Sequence, residues 1–204
     1  MNLSLETGAA AQSLIAALRG ATSGRTCWRP RSCARSAVIF AQGDLVGGIF
    51  VLQKGLVKLT YGTADGEEWI KSFIVDTGVF AATDGDDSTS SYAARCLEPS
   101  EVVCLPRNMV TQAVSGDPAV QRAYLDFTAW VMRRKQAREA ALLGASPEAR
   151  YRHLQSTSAG ILARLPQGDI ARYLGVTPIA FSRIKRRIAD ADQSGAISPS
   201  ARIA

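Results

Sequence analysis

Between positions 37 and 105 the apolar residues come in short runs separated by turn signals, the spacing of a small antiparallel barrel or double sheet. Runs at 37–40, 49–52, 55–61, 68–73, 92–96 and 101–105 read as strands, with Gly43-Asp44, Lys54-Gly55 and Asp65-Gly66 marking turns. Alternation in Leu56-Val57-Lys58-Leu59-Thr60-Tyr61 is only partial. Ahead of this region, Leu14, Ile15 and Leu18 fit a short amphipathic helix.

From Pro118 the period changes. Val120, Tyr124, Phe127, Val131 and Met132 recur at helical spacing, with Leu125 and Trp130 widening the stripe, which predicts one helix over 118–143. So much apolar surface on one helix needs cover. It comes either from a second copy of the chain, meeting it through Val120, Tyr124, Phe127 and Val131, or from the chain's own β region. Gly144 stops the helix, Ser146 suits an N-cap and Pro147 suits a first helical turn, so a new helix is expected over 147–154. The stretch 156–160 is loop-like, while Ile161, Leu162 and Leu165 suggest some helix before Pro166.

The segment 167–189 carries the strongest pattern. Ile170 and Leu174 give one short helix an apolar edge, and Phe181, Ile184 and Ile188 do the same for a second. Ala171 is small where the helices approach. Gly175 suits a left-handed turn, Val176 plugs the gap, and Thr177-Pro178 is a capped helix start. Once the apolar positions are turned inward, Thr177, Pro178, Ile179, Ser182, Arg183, Lys185, Arg186 and Arg187 remain outside. That face is short and polar at its start and basic toward its end, the arrangement of a recognition helix in a DNA major groove. Arg183 is the first choice for a base contact, because Arg pairs bidentately with guanine. Ser182 reaches a base or a phosphate; Thr177, Lys185, Arg186 and Arg187 suit phosphates.

Charge supports this reading. The chain of 204 residues carries a net +6, with thirteen Lys and Arg against five Asp and Glu from position 131 onward and eleven against thirteen before it. A basic half joined to a near-neutral half fits a polyanion-binding module attached to something else. With 47% hydrophobic and 21% charged residues the chain can bury a core. No apolar run has the length of a membrane span, and residues 9–18 lack the basic leader of a signal peptide, so a cytoplasmic location with no membrane partner is expected.

The single histidine, His153, excludes a multi-histidine metal site within one chain, and no metal is assigned. Cysteines stand at 27, 33, 96 and 104. Cys27 and Cys33, surrounded by Arg25, Arg29, Arg31 and Arg35, are the candidates for a redox-sensing pair; Cys96 and Cys104 read as buried small apolar residues. The chain shows no nucleophile elbow and no glycine-rich phosphate loop, so it is not expected to be an enzyme.

The segment 170–188, with Leu174-Gly175-Val176-Thr177-Pro178 and Ser182-Arg183-Ile184, resembles the DNA-reading element of the Crp/Fnr bacterial transcription regulators. Gln42-Gly43-Asp44, Gly47-Gly48-Ile49-Phe50-Val51-Leu52, Lys54-Gly55-Leu56-Val57-Lys58-Leu59 and Asp65-Gly66-Glu67-Glu68 resemble the opening strands of that family's cyclic-nucleotide-type β-roll. The resemblance implies an α+β protein: an N-terminal helix and β-roll sensor over 1–117, a dimerisation helix over 118–143, and a C-terminal winged helix-turn-helix over 144–204. The partners it implies are double-stranded DNA, a second copy and RNA polymerase. Three departures are plain. Members that bind cyclic AMP carry Phe-Gly-Glu and then Arg-Ser-Ala; here Val79-Phe80-Ala81-Ala82 and Ser90-Ser91-Tyr92 stand instead, without the Glu for ribose or the Arg for phosphate. Phe80, Ser90 and Ser91 are therefore the candidates for an effector pocket of unidentified ligand, and Asp84-Gly85-Asp86-Asp87 reads as an exposed acidic loop. The iron–sulfur branch has a close Cys-x2-Cys pair that this chain lacks, so no cofactor is assigned beyond the alternative of redox thiols or a cluster. The remaining alternative is a signal-binding module acting through protein contacts. Ile179 stands where the best-known members carry Glu, so their operator does not transfer; it suits a thymine methyl. Strands of a short wing are expected at Ala196-Ile197 and Ala201-Arg202-Ile203.

Overall fold

The computed structural model describes residues 4–22, 26–82 and 89–195. An N-terminal helix α1 (Ala9–Ala21) leads through a single 3-10 turn (Thr26–Trp28) into eight strands: β1 (Arg31–Cys33), β2 (Val38–Phe40), β3 (Gly48–Lys54), β4 (Leu56–Gly62), β5 (Glu68–Val75), β6 (Gly78–Ala81), β7 (Ala93–Cys96) and β8 (Ser100–Pro106). These form two four-stranded antiparallel sheets, ordered β1-β8-β3-β6 and β2-β7-β4-β5. Five helices follow: α2 (Arg107–Gly116), α3 (Pro118–Gly144), α4 (Pro147–Leu162), α5 (Gln167–Tyr173) and α6 (Pro178–Gly195). The class is the expected α+β, a β-roll followed by helices.

Several elements differ from the sequence expectation, among them helix α2, which lies where no element was expected, and the following three. The edge strand β1 is exposed at Arg31 and Ser32 and has no apolar pattern; it forms by pairing Arg31 with Val102 and Cys33 with Ser100. The strand β6 is a fully apolar run, with Phe80 opposite Phe50 of β3. Helix α4 does not stop at 154 but continues through the serine-rich stretch to Leu162, with a kink at Ser158 (φ −149°, ψ 32°). The Ser158 hydroxyl accepts a hydrogen bond from Leu5 N–H at 2.9 Å, so a contact 153 residues away meets the kinked turn.

Between the sheets lies a core of Phe40, Phe50, Leu52, Leu59, Phe80 and Tyr92. Leu14 and Leu18 of α1 pack with Val103, Leu105, Met109 and Val120 on one outer side. The third cluster joins the two ends of the chain: Leu5, Leu56, Ile70, Phe73 and Val75 share a core with Tyr151, Leu154, Ile170, Tyr173, Leu174 and Phe181. Residues 4–8 strap these parts together. The Thr7 hydroxyl donates to Val75 O and Asp76 O at 3.0 Å, Arg134 of α3 donates to Ser4 O and Glu6 O, and Gly8 lies so close to Trp130 that a Cβ there would sit 2.4 Å from the ring nitrogen.

The apolar stripe of α3 is divided between the two sources of cover weighed above. Val120 is 1% exposed in the chain's own core and Phe127 packs against the same cluster, so Val120 leaves the set of dimer contacts. Val131 is half-buried, while Tyr124, Leu125, Met132 and Leu143 are exposed.

Candidate nucleic-acid interface

Helices α5 and α6 build a hairpin whose geometry follows from a few residues. Leu174 closes α5, and Gly175 takes φ +71°, a left-handed conformation that costs an L side chain about 1–2 kcal/mol and glycine little. Val176 N–H bonds Ala171 O at 3.0 Å, and the Thr177 hydroxyl caps α6 by accepting from Ala180 N–H at 3.2 Å. Ala171 is fully buried where the helices cross. Phe181, Ile184 and Ile188 turn inward, and the Phe181 ring meets Tyr151 edge-on at 4.8 Å.

All eight residues expected on the outer face, Thr177, Pro178, Ile179, Ser182, Arg183, Lys185, Arg186 and Arg187, are exposed. At 3.6 residues per turn, Ile179, Ser182, Arg183 and Arg186 form the line directly opposite the buried edge, with Lys185 and Arg187 on its flanks. Ile179 is 70% exposed, a large apolar side chain offered to solvent in the first turn. No carboxylate falls between Thr177 and Ala189, against four cations. Lys185 Nζ donates to Gln167 Oε1 at 2.8 Å and so ties α6 to the start of α5. The helix is longer than expected, running past 189 to Gly195, with Asp192 bonded to Arg152 of α4 at 3.1 Å. Gly195 thus belongs to α6, and the expected wing strands lie outside the described residues.

Two buried side chains that local sequence pattern does not distinguish hold this unit to the rest of the chain. Arg150, 6% exposed, donates to Ala145 O at 2.6 Å, Leu174 O at 2.7 Å, and Ala141 O and Leu142 O at 3.3 Å, so one guanidinium fills the carbonyl ends of both α3 and α5. Burial, and then the Arg138 charge, push its pKa down. Asp169, 4% exposed, faces Lys58 Nζ of β4 at 3.4 Å and Arg172 at 3.5 Å.

A model of the cyclic nucleotide-binding domain matches residues 30–117, the β-roll. The transcriptional activator protein Anr of Pseudomonas aeruginosa is 25% identical over 181 residues, covering 83% of this chain and 73% of Anr. The structure of FixK2 from Bradyrhizobium japonicum superposes with a TM-score of 0.67 at 20% identity, over 85% of this chain and 88% of that one. That of the c-di-GMP-responsive global regulator CLP from Xanthomonas campestris gives 0.68 at 14% identity, over 94% and 96%. The agreement spans the β-roll, the long helix and the helix-turn-helix in one chain. The chain carries a cyclic nucleotide-binding domain and is similar over most of its length to these regulators.

The β-roll departs from a nucleotide site. Phe80 is stacked on Phe50 at 5.2 Å, and Phe40 and Tyr92 complete an aromatic cluster between the sheets. Ser90 is buried with its hydroxyl donating to Ala82 O at 3.1 Å and Tyr92 O at 2.6 Å; Ser91 is exposed. These three residues therefore do not converge as polar lining: one is core, one is engaged with its own backbone and one faces solvent. The acidic stretch 84–87 lies outside the described residues.

Among the cysteines, Cys27 packs against the cluster under α1 and Cys33 lies in the core between the sheets. Cys33 neighbours Cys96, whose thiol is pushed up by burial, while Cys104 is exposed rather than buried as expected. Among the described residues no group of three His, Cys, Asp or Glu side chains is placed to hold a metal ion, and the arrangement does not fit a cysteine-ligated cluster. Among them, too, no helix is long and apolar enough to cross a membrane.

Proposed function

We propose that this chain is a sequence-specific DNA-binding transcription regulator of the Crp/Fnr type that acts as a homodimer in the cytoplasm. The carrying observation is the outer face of α6, where Ile179, Ser182, Arg183 and Arg186 lie in one exposed line flanked by Lys185 and Arg187 while every large apolar residue but Ile179 turns inward. Arg183 reads a base edge, Ile179 meets a thymine methyl, and Lys185, Arg186 and Arg187 with Thr177 hold phosphates. RNA polymerase is the protein partner expected of such a regulator. The aromatic core between the sheets and the absence of a Glu or Arg at the cassette positions speak against cyclic AMP as effector.

A second copy would meet the exposed side of α3. Leu125 and Met132, seven residues apart and 58% and 52% exposed, lie along the same side of a helix that spans about 40 Å, and Tyr124 borders them. The test is selection from random duplexes at about physiological salt with wild type and Arg183→Ala. A palindromic site with base preference relaxed in the variant is expected; recovery of no site by wild type in reduced and oxidised conditions would overturn the reading. Met132→Glu is expected to lower the mass seen by light scattering to that of one chain.

A further inference from the structure

The helix-turn-helix does not hang from the long helix alone; it is seated on its own β-roll. Lys58 of β4 sits between two carboxylates, bonded to Glu68 of β5 and facing Asp169 of α5, which Arg172 also approaches. At the other end of the contact Arg164, in the link between α4 and α5, donates to Asp76 at 2.9 Å, to Glu98, and to Gly55 O at 3.2 Å. Gly55 N–H in turn donates to Asp76 at 2.6 Å, so the β3–β4 turn, the end of β5 and the DNA-reading unit share one carboxylate. Arg138 of α3 bridges Ile70 O of β5 and Tyr173 O of α5 at 3.0 and 3.1 Å, and the Phe73 and Tyr173 rings lie 5.4 Å apart.

We propose that this contact is a latch: the β4–β5 hairpin holds α5 in a docked position through Lys58–Asp169 and Arg164–Asp76/Glu98, and releasing it is the step by which the sensor half acts on the DNA-reading half within a single protomer. The inference rests on reading α5 and α6 as the DNA reader, but its geometry does not. The two ion-pair groups differ in character. The Asp169 side chain is 6% exposed and Lys58 12%, so removing Lys58 leaves a carboxylate inside with one distant partner. Arg164, Asp76 and Glu98 are 31%, 45% and 32% exposed, within reach of salt, so that half yields to ionic strength. These polar ties flank the shared apolar core of Leu56, Ile70, Phe73, Ile170 and Tyr173, so opening the contact costs burial of that core as well as the ion pairs. A signal that shifts the β4–β5 hairpin as a unit displaces Lys58 and Glu68 together, and through them Asp169, without passing along α3.

The experiment is hydrogen exchange by mass spectrometry on the full chain, without DNA, for wild type, Lys58→Met and Arg164→Ala, and on wild type at low and high salt. Expected is exchange faster by about tenfold or more in residues 68–75 and 167–173, with residues 48–54 and 100–106 unchanged, and the same pattern in wild type at high salt. In a cycle of Lys58→Met and Asp169→Asn, the double variant should exchange no faster than Lys58→Met alone. Unchanged exchange at the contact, or a uniform rise over the whole chain, overturns the latch. Should a variant fail to fold, the salt response of wild type decides alone. Because no step uses DNA, a chain that selects no operator yet shows the localised opening would refute the DNA reading and leave the latch standing.

Discussion

Arg150→Met removes the charge and donors of the buried guanidinium while keeping an unbranched apolar stem. In the wild-type chain its two short bonds, 2.6 Å to Ala145 O and 2.7 Å to Leu174 O, are charge-assisted, and two longer ones at 3.3 Å share the end of α3. Each short bond from a charged donor contributes about 1.5–3 kcal/mol net, and Leu174, whose carbonyl loses this donor, is buried. Against this, methionine needs no desolvation of a cation, which returns a kcal/mol or two. The balance is a loss of about 2–4 kcal/mol, which for a chain of this length lowers the unfolding midpoint by roughly 10 °C. Urea titration followed by tryptophan fluorescence and circular dichroism together is the assay, since the slope must stay constant for the midpoint shift to count as stability. A variant as stable as wild type, or more so, would show that burial of the charge outweighs its carbonyl bonds and would refute the assignment of Arg150 as a stabilising tie between α3 and α5.

Three further outcomes follow from the same coordinates. Phe181→Ala empties a site 2% exposed against Tyr151 and should destabilise the helix-turn-helix by about 3–5 kcal/mol, read as loss of protection in α5 and α6. Gly175→Ala forces a Cβ into φ +71° and to 3.3 Å from Leu142 Cδ2; the side-chain end yields, so the expected loss is the backbone strain alone, about 1–2 kcal/mol in thermal unfolding. Burial alone would raise the Asp76 carboxyl, but the Gly55 N–H bond and the Arg164 guanidinium outweigh it and hold the group below its ordinary value. A depressed carboxylate stabilises the fold above its unfolded pKa and ceases to as pH falls through the folded one, so the stability gap between wild type and Asp76→Asn should be full near neutrality and close only in acid below the ordinary carboxylate range; a gap that persists there contradicts the shift.

What was legible in the sequence was local. The hairpin from Gln167 through Ile188 declared itself because each of its parts, Ala171, Gly175, Val176, Thr177-Pro178 and the Phe181-Ile184-Ile188 edge, acts on neighbours within a turn or two. The strands with turns between them were legible for the same reason. What escaped depends on distant partners. β1 has no pattern of its own and exists by pairing with β8; the second half of α4 looks like a loop until Leu5 meets Ser158; Lys58 and Asp169 are 111 positions apart. The stripe on α3 was read as one surface because periodicity reports which residues are apolar, not which of them the N-terminal helix already covers. Arg150 stood in a helix rich in polar residues, and only its seat among four carbonyls distinguishes it from a solvated cation.

The seat of Arg150 also determines what can pivot. Gly144-Ala145-Ser146 between α3 and α4 has the composition of a hinge, yet bending there would pull the Arg150 guanidinium of α4 away from the carbonyl end of α3. The last turns of α3 therefore travel with α4, α5 and α6 as a single lever, and its fulcrum lies further up α3, before Arg138 and its bonds to β5 and α5.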